Sequence, residues 1–291
     1  MGQYEGDREH GMIVPLPVAS LWHWKWEAPI AIAIVAAQVA FTGMWIRRRA
    51  SSPDARPRRS ALVAFTIGLA VIGLSIMSPI GANDELLLSM HMLEHDLLIW
   101  VAAPLLLVGV IPLRERGRAA PARERSLVRV GTHPVVALGI SSAVLWAWHL
   151  PWAYDRALRS ETVHALEHAS FLGAYVLYWW PIMAPASLTL WLRGNASRVV
   201  YLLAGATQSA ILASLIAFHA DVLYATYTVA PRVTSLSPLA DQRLAGMLML
   251  FPGVVVHVIA AIYLLKDEWA RRDCCASARQ RSTQMSLRRL A

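Results

Sequence analysis

The sequence predicts an all-α integral membrane protein, a bundle of seven transmembrane helices. Two observations establish this class. The chain has 291 residues, of which 56% are hydrophobic and only 16% are charged, and its mean hydropathy is +0.44, whereas a soluble domain of this length is less apolar. The apolar residues also form stretches of about 18–25 residues, the length that crosses a hydrocarbon core of about 30 Å.

Seven such stretches follow one another along the chain. The first comes after Trp22, Trp24 and Trp26, which are typical of an interfacial aromatic belt, and it ends before Arg47. The fourth is the shortest, and its helix could begin one turn earlier. The predicted spans are 28–46, 60–77, 86–110, 134–149, 164–185, 197–219 and 244–265.

Arginines predict the orientation of the bundle. The first and third connecting segments and the C-terminal tail are rich in arginine, whereas the second carries Asp84 and Glu85 and no basic residue. Because basic residues accumulate on the cytoplasmic side, we expect residues 1–27 to form an extracytoplasmic segment, 28–266 the transmembrane domain and 267–291 a cytoplasmic basic tail. The net charge of +8 is thereby explained by topology, and no nucleic-acid partner is predicted.

One pattern occurs twice inside the apolar stretches. His91-Met92-Leu93-Glu94-His95 and His164-Ala165-Leu166-Glu167-His168 both spell H-x-L-E-H and lie 73 residues apart (164 − 91). On a helix, positions i and i+4 share a face, so each copy presents two imidazoles with a carboxylate beside them. Ionisable groups at membrane depth are costly and usually functional. The repeated pattern therefore predicts a metal or haem site.

The predicted topology brings histidines from four spans to one depth, in the outer third of the bilayer. Two histidines elsewhere serve other roles: we expect His133 to cap the helix that begins at Pro134, and His257 to lie deeper and apart from this group. The histidines at the shared depth are His91, His95, His149, His164, His168 and His219.

The residue types favour copper as the ligand of this site. Neutral imidazole binds zinc, copper, nickel and iron, whereas a thioether sulfur favours Cu(I). Glu94 and Glu167 are predicted to accept hydrogen bonds from imidazole N–H groups and fix the ring directions. Asp241 either caps the seventh span or contributes to the site. The predicted copper ligands are His91, His95, His149, His164, His168 and Met92.

Other chemistries fit parts of the pattern. H-x-x-E-H is also the residue order of one class of zinc protease, but one catalytic zinc needs one copy and this chain has two. Haem b remains an alternative, with His91 opposite His164 or His95 opposite His168. A proton pathway would spread ionisable residues over the full membrane depth, whereas these are confined to the outer third.

At these residues the chain resembles the CtaG-like assembly factors of caa(3)-type cytochrome c oxidase, a family of seven-span bacterial membrane proteins. The resemblance covers about residues 75–260. It rests on the two H-x-L-E-H copies and on Ser78-Pro79, Ala103-Pro104-Leu105-Leu106, His133-Pro134, Trp148-His149-Leu150-Pro151, Trp179-Trp180-Pro181 and Asp241-Gln242-Arg243-Leu244-Ala245-Gly246-Met247-Leu248-Met249.

The resemblance implies a non-enzymatic role in the maturation of haem-copper oxidase, through insertion of copper. It implies a multi-pass protein of the bacterial cell membrane that works with oxidase subunits as a chaperone and receives copper from a periplasmic donor. It carries over the four H-x-L-E-H histidines, His149 and Asp241 as positions to test. A metal-free scaffold that holds oxidase subunits remains the other alternative, beside haem b.

Overall fold

A computed structural model describes residues 22–51, 57–115, 130–185, 191–192 and 194–290. The described residues form helices, turns and loops without any β-strand, which confirms the predicted all-α class. The segments 1–21, 52–56 and 116–129 lie outside the described residues, and the last two belong to arginine-rich connections. Nearly all side chains beyond 266 are also outside the described part.

Ten α-helices follow one another in the described chain. Their order follows that of the predicted spans, but the third predicted span is divided between α3 and α4, and the last helix extends well beyond the predicted 244–265. Short helices also occur in the connections. The helices are α1 (Ala28–Ser51), α2 (Arg59–Met77), α3 (Leu88–Asp96), α4 (Ala103–Glu115), α5 (Pro134–Trp148), α6 (Pro151–Leu158), α7 (Glu161–Met183), α8 (Asn195–Phe218), α9 (Thr226–Val229) and α10 (Pro238–Leu290).

Among the described residues, five helical segments are long and apolar enough to cross a membrane: α1, α2, 88–113, α8 and the part of α10 from 238 to 266. A sixth arises if α5 and α6 count as one span, broken by a bend of 73°. At about 1.5 Å per residue, the 15 residues of α5 alone fall short of a hydrocarbon core. The predicted fifth span is the helix α7, whose 23 residues are long enough but less apolar, since its first two turns carry four ionisable side chains.

A π-helical stretch joins α3 to α4 and makes them one continuous rod. Residues Leu97–Ala102 adopt the wider turn, and the N–H of Ala103 bonds to the carbonyl of Leu98, five residues back. Pro104 follows and has no N–H to donate. Within the stretch, the carbonyl of Ile99 accepts a hydrogen bond from Trp179 Nε1 on α7 at 2.9 Å. Such wide turns occur often at functional sites, and this one begins directly after the first H-x-L-E-H copy.

Small residues let neighbouring helices approach closely around this rod. A Cβ atom at Gly109 of α4 would lie 2.7 Å from Phe65 Cβ on α2, and one at Gly246 of α10 would lie 2.6 Å from the backbone nitrogen of Ala217 on α8. Close backbone approach at small residues is the usual way in which helices pack inside membranes. Gly109 thus lets α2 pack closely against α4, and Gly246 lets α10 pack closely against α8.

Three connecting segments meet at one end of the bundle. Tyr227 donates a hydrogen bond to the carbonyl of Asp84 at 2.7 Å, and Tyr224 donates one to the carbonyl of His149 at 3.1 Å. Both tyrosines are almost fully buried. The segment between α8 and α10 therefore ties down the segments that precede α3 and follow α5, and it closes the end of the bundle where both H-x-L-E-H copies begin.

Candidate metal centre

The two H-x-L-E-H copies face each other from α3 and α7. On α3, His91, Glu94 and His95 lie on the inward face and are buried. On α7, Glu167 is fully buried, His168 is 7% exposed, and the His164 side chain is 12% exposed. The i, i+3 and i+4 spacing thus places all six side chains on the two facing surfaces, inside a protein interior that offers them little water.

The four imidazoles of this cluster lie close together. The ring centroids of His91 and His95 are 4.3 Å apart, those of His164 and His168 4.2 Å, and between the helices His91 and His164 are 5.1 Å apart. His95 and His168 follow at 5.3 Å. Four of the six histidines expected at one depth thus lie together, two from α3 and two from α7.

Two sets of these side chains have the spacing of a metal site. His91, His95, His164 and Glu167 each offer one ligand atom, and these atoms lie within 4.8 Å of one another; we call this set the inner group. Glu94, His164 and His168 do the same and form the outer group. His164 belongs to both groups, so the two candidate positions are neighbours and share one imidazole.

Each carboxylate faces the histidines of the opposite helix. Glu167 Oε1 on α7 lies 3.8 Å from His91 Nε2 and 3.7 Å from His95 Nε2 on α3. Conversely, Glu94 Oε1 on α3 lies 3.5 Å from His168 Nε2 on α7. These distances exceed those of ordinary charge-assisted hydrogen bonds, but they suit donors arranged around a common cation.

The donor atoms of the cluster lack hydrogen-bond partners among the described residues. Buried polar atoms are nearly always paired, and each unpaired one costs about 1–3 kcal/mol. A cation bound by either group would pair one ring nitrogen of each histidine of that group and a carboxylate oxygen, and would so remove part of this cost. The unpaired atoms are both ring nitrogens of His91 and His95, Nε2 of His164 and His168, and both carboxylate oxygens of Glu94 and Glu167.

Aromatic side chains enclose the cluster and fix the ring positions. The Tyr154 ring lies 4.8 Å from that of His91, and its hydroxyl is 2.9 Å from the Tyr227 hydroxyl. Phe171 lies 4.5 Å from His95 and is fully buried. Tight packing holds the donors in one geometry, which favours a preorganised binding site.

Asp241 supports the cluster through the start of α3. Its carboxylate accepts hydrogen bonds from the N–H of Leu88 at 2.7 Å and from the Ser89 hydroxyl, at the helix terminus where N–H groups lack partners. The expectation that Asp241 caps its own helix is wrong, because α10 begins three residues earlier, at Pro238. Asp241 instead caps α3, two residues before His91.

The other two predicted ligands, His149 and Met92, belong to neither group. His149 is buried, and its Nδ1 lies 2.7 Å from the carbonyl of Leu145, with its ring 6.2 Å from Phe171. Met92 is completely buried and belongs to the apolar core. His219 is exposed at the end of α8, where its Nδ1 accepts from the N–H of Asp221, so the structure does not bring it to the cluster.

The two histidines expected to serve other roles do so. His133 precedes α5, and its Nδ1 accepts a hydrogen bond from the N–H of Val135, which confirms the predicted cap. His257 is buried on α10, away from both groups, with its Nε2 2.8 Å from the Tyr178 hydroxyl. These contacts explain both residues without a ligand.

Asp84 is a site residue that the sequence analysis used only for topology. Its Oδ2 lies 3.6 Å from His164 Nε2, in the connection between α2 and α3. Burial raises the pKa of the Asp84 carboxyl to about 7, although Lys25 nearby opposes this effect. Its position shortly before the first H-x-L-E-H copy was the available signal.

Comparison with known proteins identifies relatives of the whole transmembrane region. Residues 39–272 match the family described as cytochrome c oxidase caa3 assembly factor. A protein of Mycobacterium bovis, described as uncharacterized, is 25% identical over 88% of this chain, and one of Mycobacterium tuberculosis is similar to the same extent. The chain spans 41% of the length of these relatives. No solved structure matches.

Proposed function

Because the chain belongs to the cytochrome c oxidase caa3 assembly factor family, we propose that it binds copper between α3 and α7 and assists the metallation of the oxidase. The chain is a multi-pass protein of the bacterial cell membrane. One observation carries the proposal: buried, unpaired donor atoms from two helices converge within 4.8 Å of one another. Copper would be the cargo of this site.

The inner group supplies three imidazoles and one carboxylate. Imidazole is a good ligand for copper, and thioether ligands add preference for Cu(I). Met92 packs in the apolar core, so we propose His91, His95, His164 and Glu167 as the primary ligands. His149 lies close by, and Asp241 acts as a positioning residue through α3.

The geometry favours a single ion over haem b. Two histidines that ligate haem iron face each other across a macrocycle, which must fit between the rings. Here the His91 and His164 rings stack at 5.1 Å, and a third ring, that of His95, lies 4.3 Å from His91. These side chains occupy the space that the macrocycle would need.

The arrangement also favours a binding role over catalysis. In the zinc-protease pattern, one copy supplies two ligands and a general base that acts on a substrate. Here the two copies combine into one cluster, and both carboxylates are fully buried. We therefore propose a copper chaperone that is not an enzyme.

We propose that the bundle has seven spans, with α7 as the fifth. On its inward surface, His164, Glu167 and His168 belong to the cluster. On the opposite surface, Leu166 is 60% exposed toward lipid. The arginine distribution then places the N-terminus outside and the C-terminus in the cytoplasm. In this orientation the metal centre lies near the extracytoplasmic surface and receives copper from a donor there, for delivery to oxidase subunits.

Purified protein in mild detergent provides the test. We expect one equivalent of bound copper by elemental analysis, lost in His91→Ala and retained in His219→Ala, an exposed histidine at the same end of the bundle. Cells carrying His91→Ala should assemble less active oxidase at normal levels of this protein. Met92→Leu should keep its copper, since Leu and Met have similar volumes.

Three results would count against the proposal. Normal oxidase activity with His91→Ala and His164→Ala would show that the site has no role in assembly. A Soret band in the visible spectrum would indicate haem b. Protein that takes up neither copper nor haem would favour a metal-free scaffold.

A further inference from the structure

A pocket reaches the outer group from the surface of the bundle. It opens to solvent between α1, α2 and α7, and its wall includes Glu94, His164 and His168. These are all three members of the outer group. Of the inner group, only the shared His164 reaches the pocket.

The exposure of the histidine side chains decreases from the outer group to the inner group. The side chain of His164 is 12% exposed and that of His168 is 9% exposed. The side chain of His95 is 4% exposed, and that of His91 is completely buried. Glu94 is fully buried, yet it lines the pocket and both its oxygens lack hydrogen-bond partners among the described residues. A cation arriving through the pocket would therefore meet the outer group first.

The charge of the pocket wall suits a cation. Besides Glu94, the wall contains the carboxyl groups of Glu27, Asp84 and Glu161, and among the described residues its one lysine or arginine is Lys25. Lys25 forms an ion pair with Glu27 at 2.8 Å, which offsets its charge. An opening lined mainly by one sign of charge raises the local concentration of the opposite ion.

We propose that Glu94, His164 and His168 form a loading position, which captures the incoming copper ion before His164 passes it to His91, His95 and Glu167. This inference rests on the proposed copper site and assigns an order to its two groups. In the transfer, bonds from copper to Glu94 and His168 break while bonds to His91, His95 and Glu167 form, and His164 stays bound. Copper keeps its oxidation state, and because each group contributes one carboxylate, the ion passes from the Glu94 carboxylate to the Glu167 carboxylate.

The shared imidazole makes this order physically reasonable. An ion that exchanges ligands in steps avoids a bare intermediate, whose desolvation in the protein interior would be very costly. The inner group has four donors against three in the outer group, so the ion should bind more tightly at the inner position. Copper is thus captured at the accessible outer group and stored at the buried inner group.

The test measures the rate of loading separately from the affinity. Cu(I) held by a chromogenic chelator is mixed with the detergent-solubilised protein, and the loss of chelator colour gives the rate, the stoichiometry and the final affinity. We expect the wild type to bind one equivalent. His168→Ala and Glu94→Gln should load about tenfold more slowly or worse yet reach one equivalent, whereas His95→Ala should load at the wild-type initial rate but hold copper at least about tenfold more weakly.

Two surface variants extend the test without touching the buried donors. Glu161→Gln, in the pocket wall, should slow loading at low salt, while Glu85→Gln, exposed on the neighbouring connection and outside the pocket, should not. Loading of His168→Ala at the wild-type rate, or equal losses of rate and affinity in His168→Ala and His95→Ala, would show one undivided site and overturn the inference. Absence of copper in the wild type would instead refute the proposed function itself.

Discussion

Replacing Glu167 by glutamine should stabilise the metal-free protein and abolish its stabilisation by copper. Both carboxylate oxygens of Glu167 are buried without a hydrogen-bond partner, and the nearest nitrogens, of His91 and His95, lie 3.8 and 3.7 Å away. An unpaired buried group costs about 1–3 kcal/mol. Glutamine has the same size, carries no charge and can donate to an imidazole nitrogen, so it removes most of that cost.

Copper should stabilise the wild type and have little effect on Glu167→Gln. A ligand at a thousand times its Kd stabilises the folded state by about 4 kcal/mol, which corresponds to a rise in Tm of about 8–16 °C at about 2–4 °C per kcal/mol. The wild type should show this rise, and Glu167→Gln should show little of it. Without copper, Glu167→Gln should melt about 2–12 °C above the wild type.

Thermal unfolding followed by tryptophan fluorescence, with and without copper, measures both effects. Glu85→Gln is the matched control, because it makes the same chemical change at an exposed position and should leave Tm within about 1–2 °C. If Glu167→Gln lowered the Tm of the metal-free protein, the carboxylate would be structural and the reasoning from unpaired donors would fail.

Two further substitutions test how the fold supports the centre. Asp241→Asn, which removes the charge at the start of α3, should lower stability by about 1.5–3 kcal/mol and weaken copper binding about tenfold or more; unchanged copper affinity in a competition titration would contradict its positioning role. Gly246→Ala should destabilise the bundle by about 1–3 kcal/mol, because the added Cβ would lie 2.6 Å from Ala217. Gly139→Ala, where a Cβ meets nothing within 4 Å, should instead stabilise it by about 0.5–1 kcal/mol, and equal thermal shifts in both would refute the proposed packing.

The helices and the convergence of the histidines were predictable from local patterns. Apolar stretches predict where the helices lie, and five or six of those among the described residues could span a membrane. The i, i+4 spacing gives the shared face of His91 and His95 whatever the rest of the fold does. The alternation of spans then suffices to bring α3 and α7 to one end. Hydropathy alone does not identify α7 as a span, because its first turns carry polar side chains. These side chains are buried in contact with α3.

The contacts between helices could not be predicted in the same way. Nothing in the neighbourhood of Glu94 indicates that it faces His168 rather than the histidines of its own helix, since that depends on the rotation of both helices. The sequence left two roles open for Asp241, a cap of its own helix or a part in the site, and it did not indicate that Asp241 caps α3, 152 residues away. The π-helical turn at Leu97–Ala102 has only Pro104 as a sequence signal.

Each group combines residues of α3 and α7, so the centre forms only after both helices have folded against each other. Neither α3 nor α7 alone holds the donors of either group, because Glu167 completes a set of histidines from α3 and Glu94 completes one from α7. A chain that emerges from the translocon with only its first half inserted therefore has no place for the ion. Bound copper would link α3 and α7, which are synthesised at different times. A protein that retains copper would therefore have a correctly assembled membrane domain.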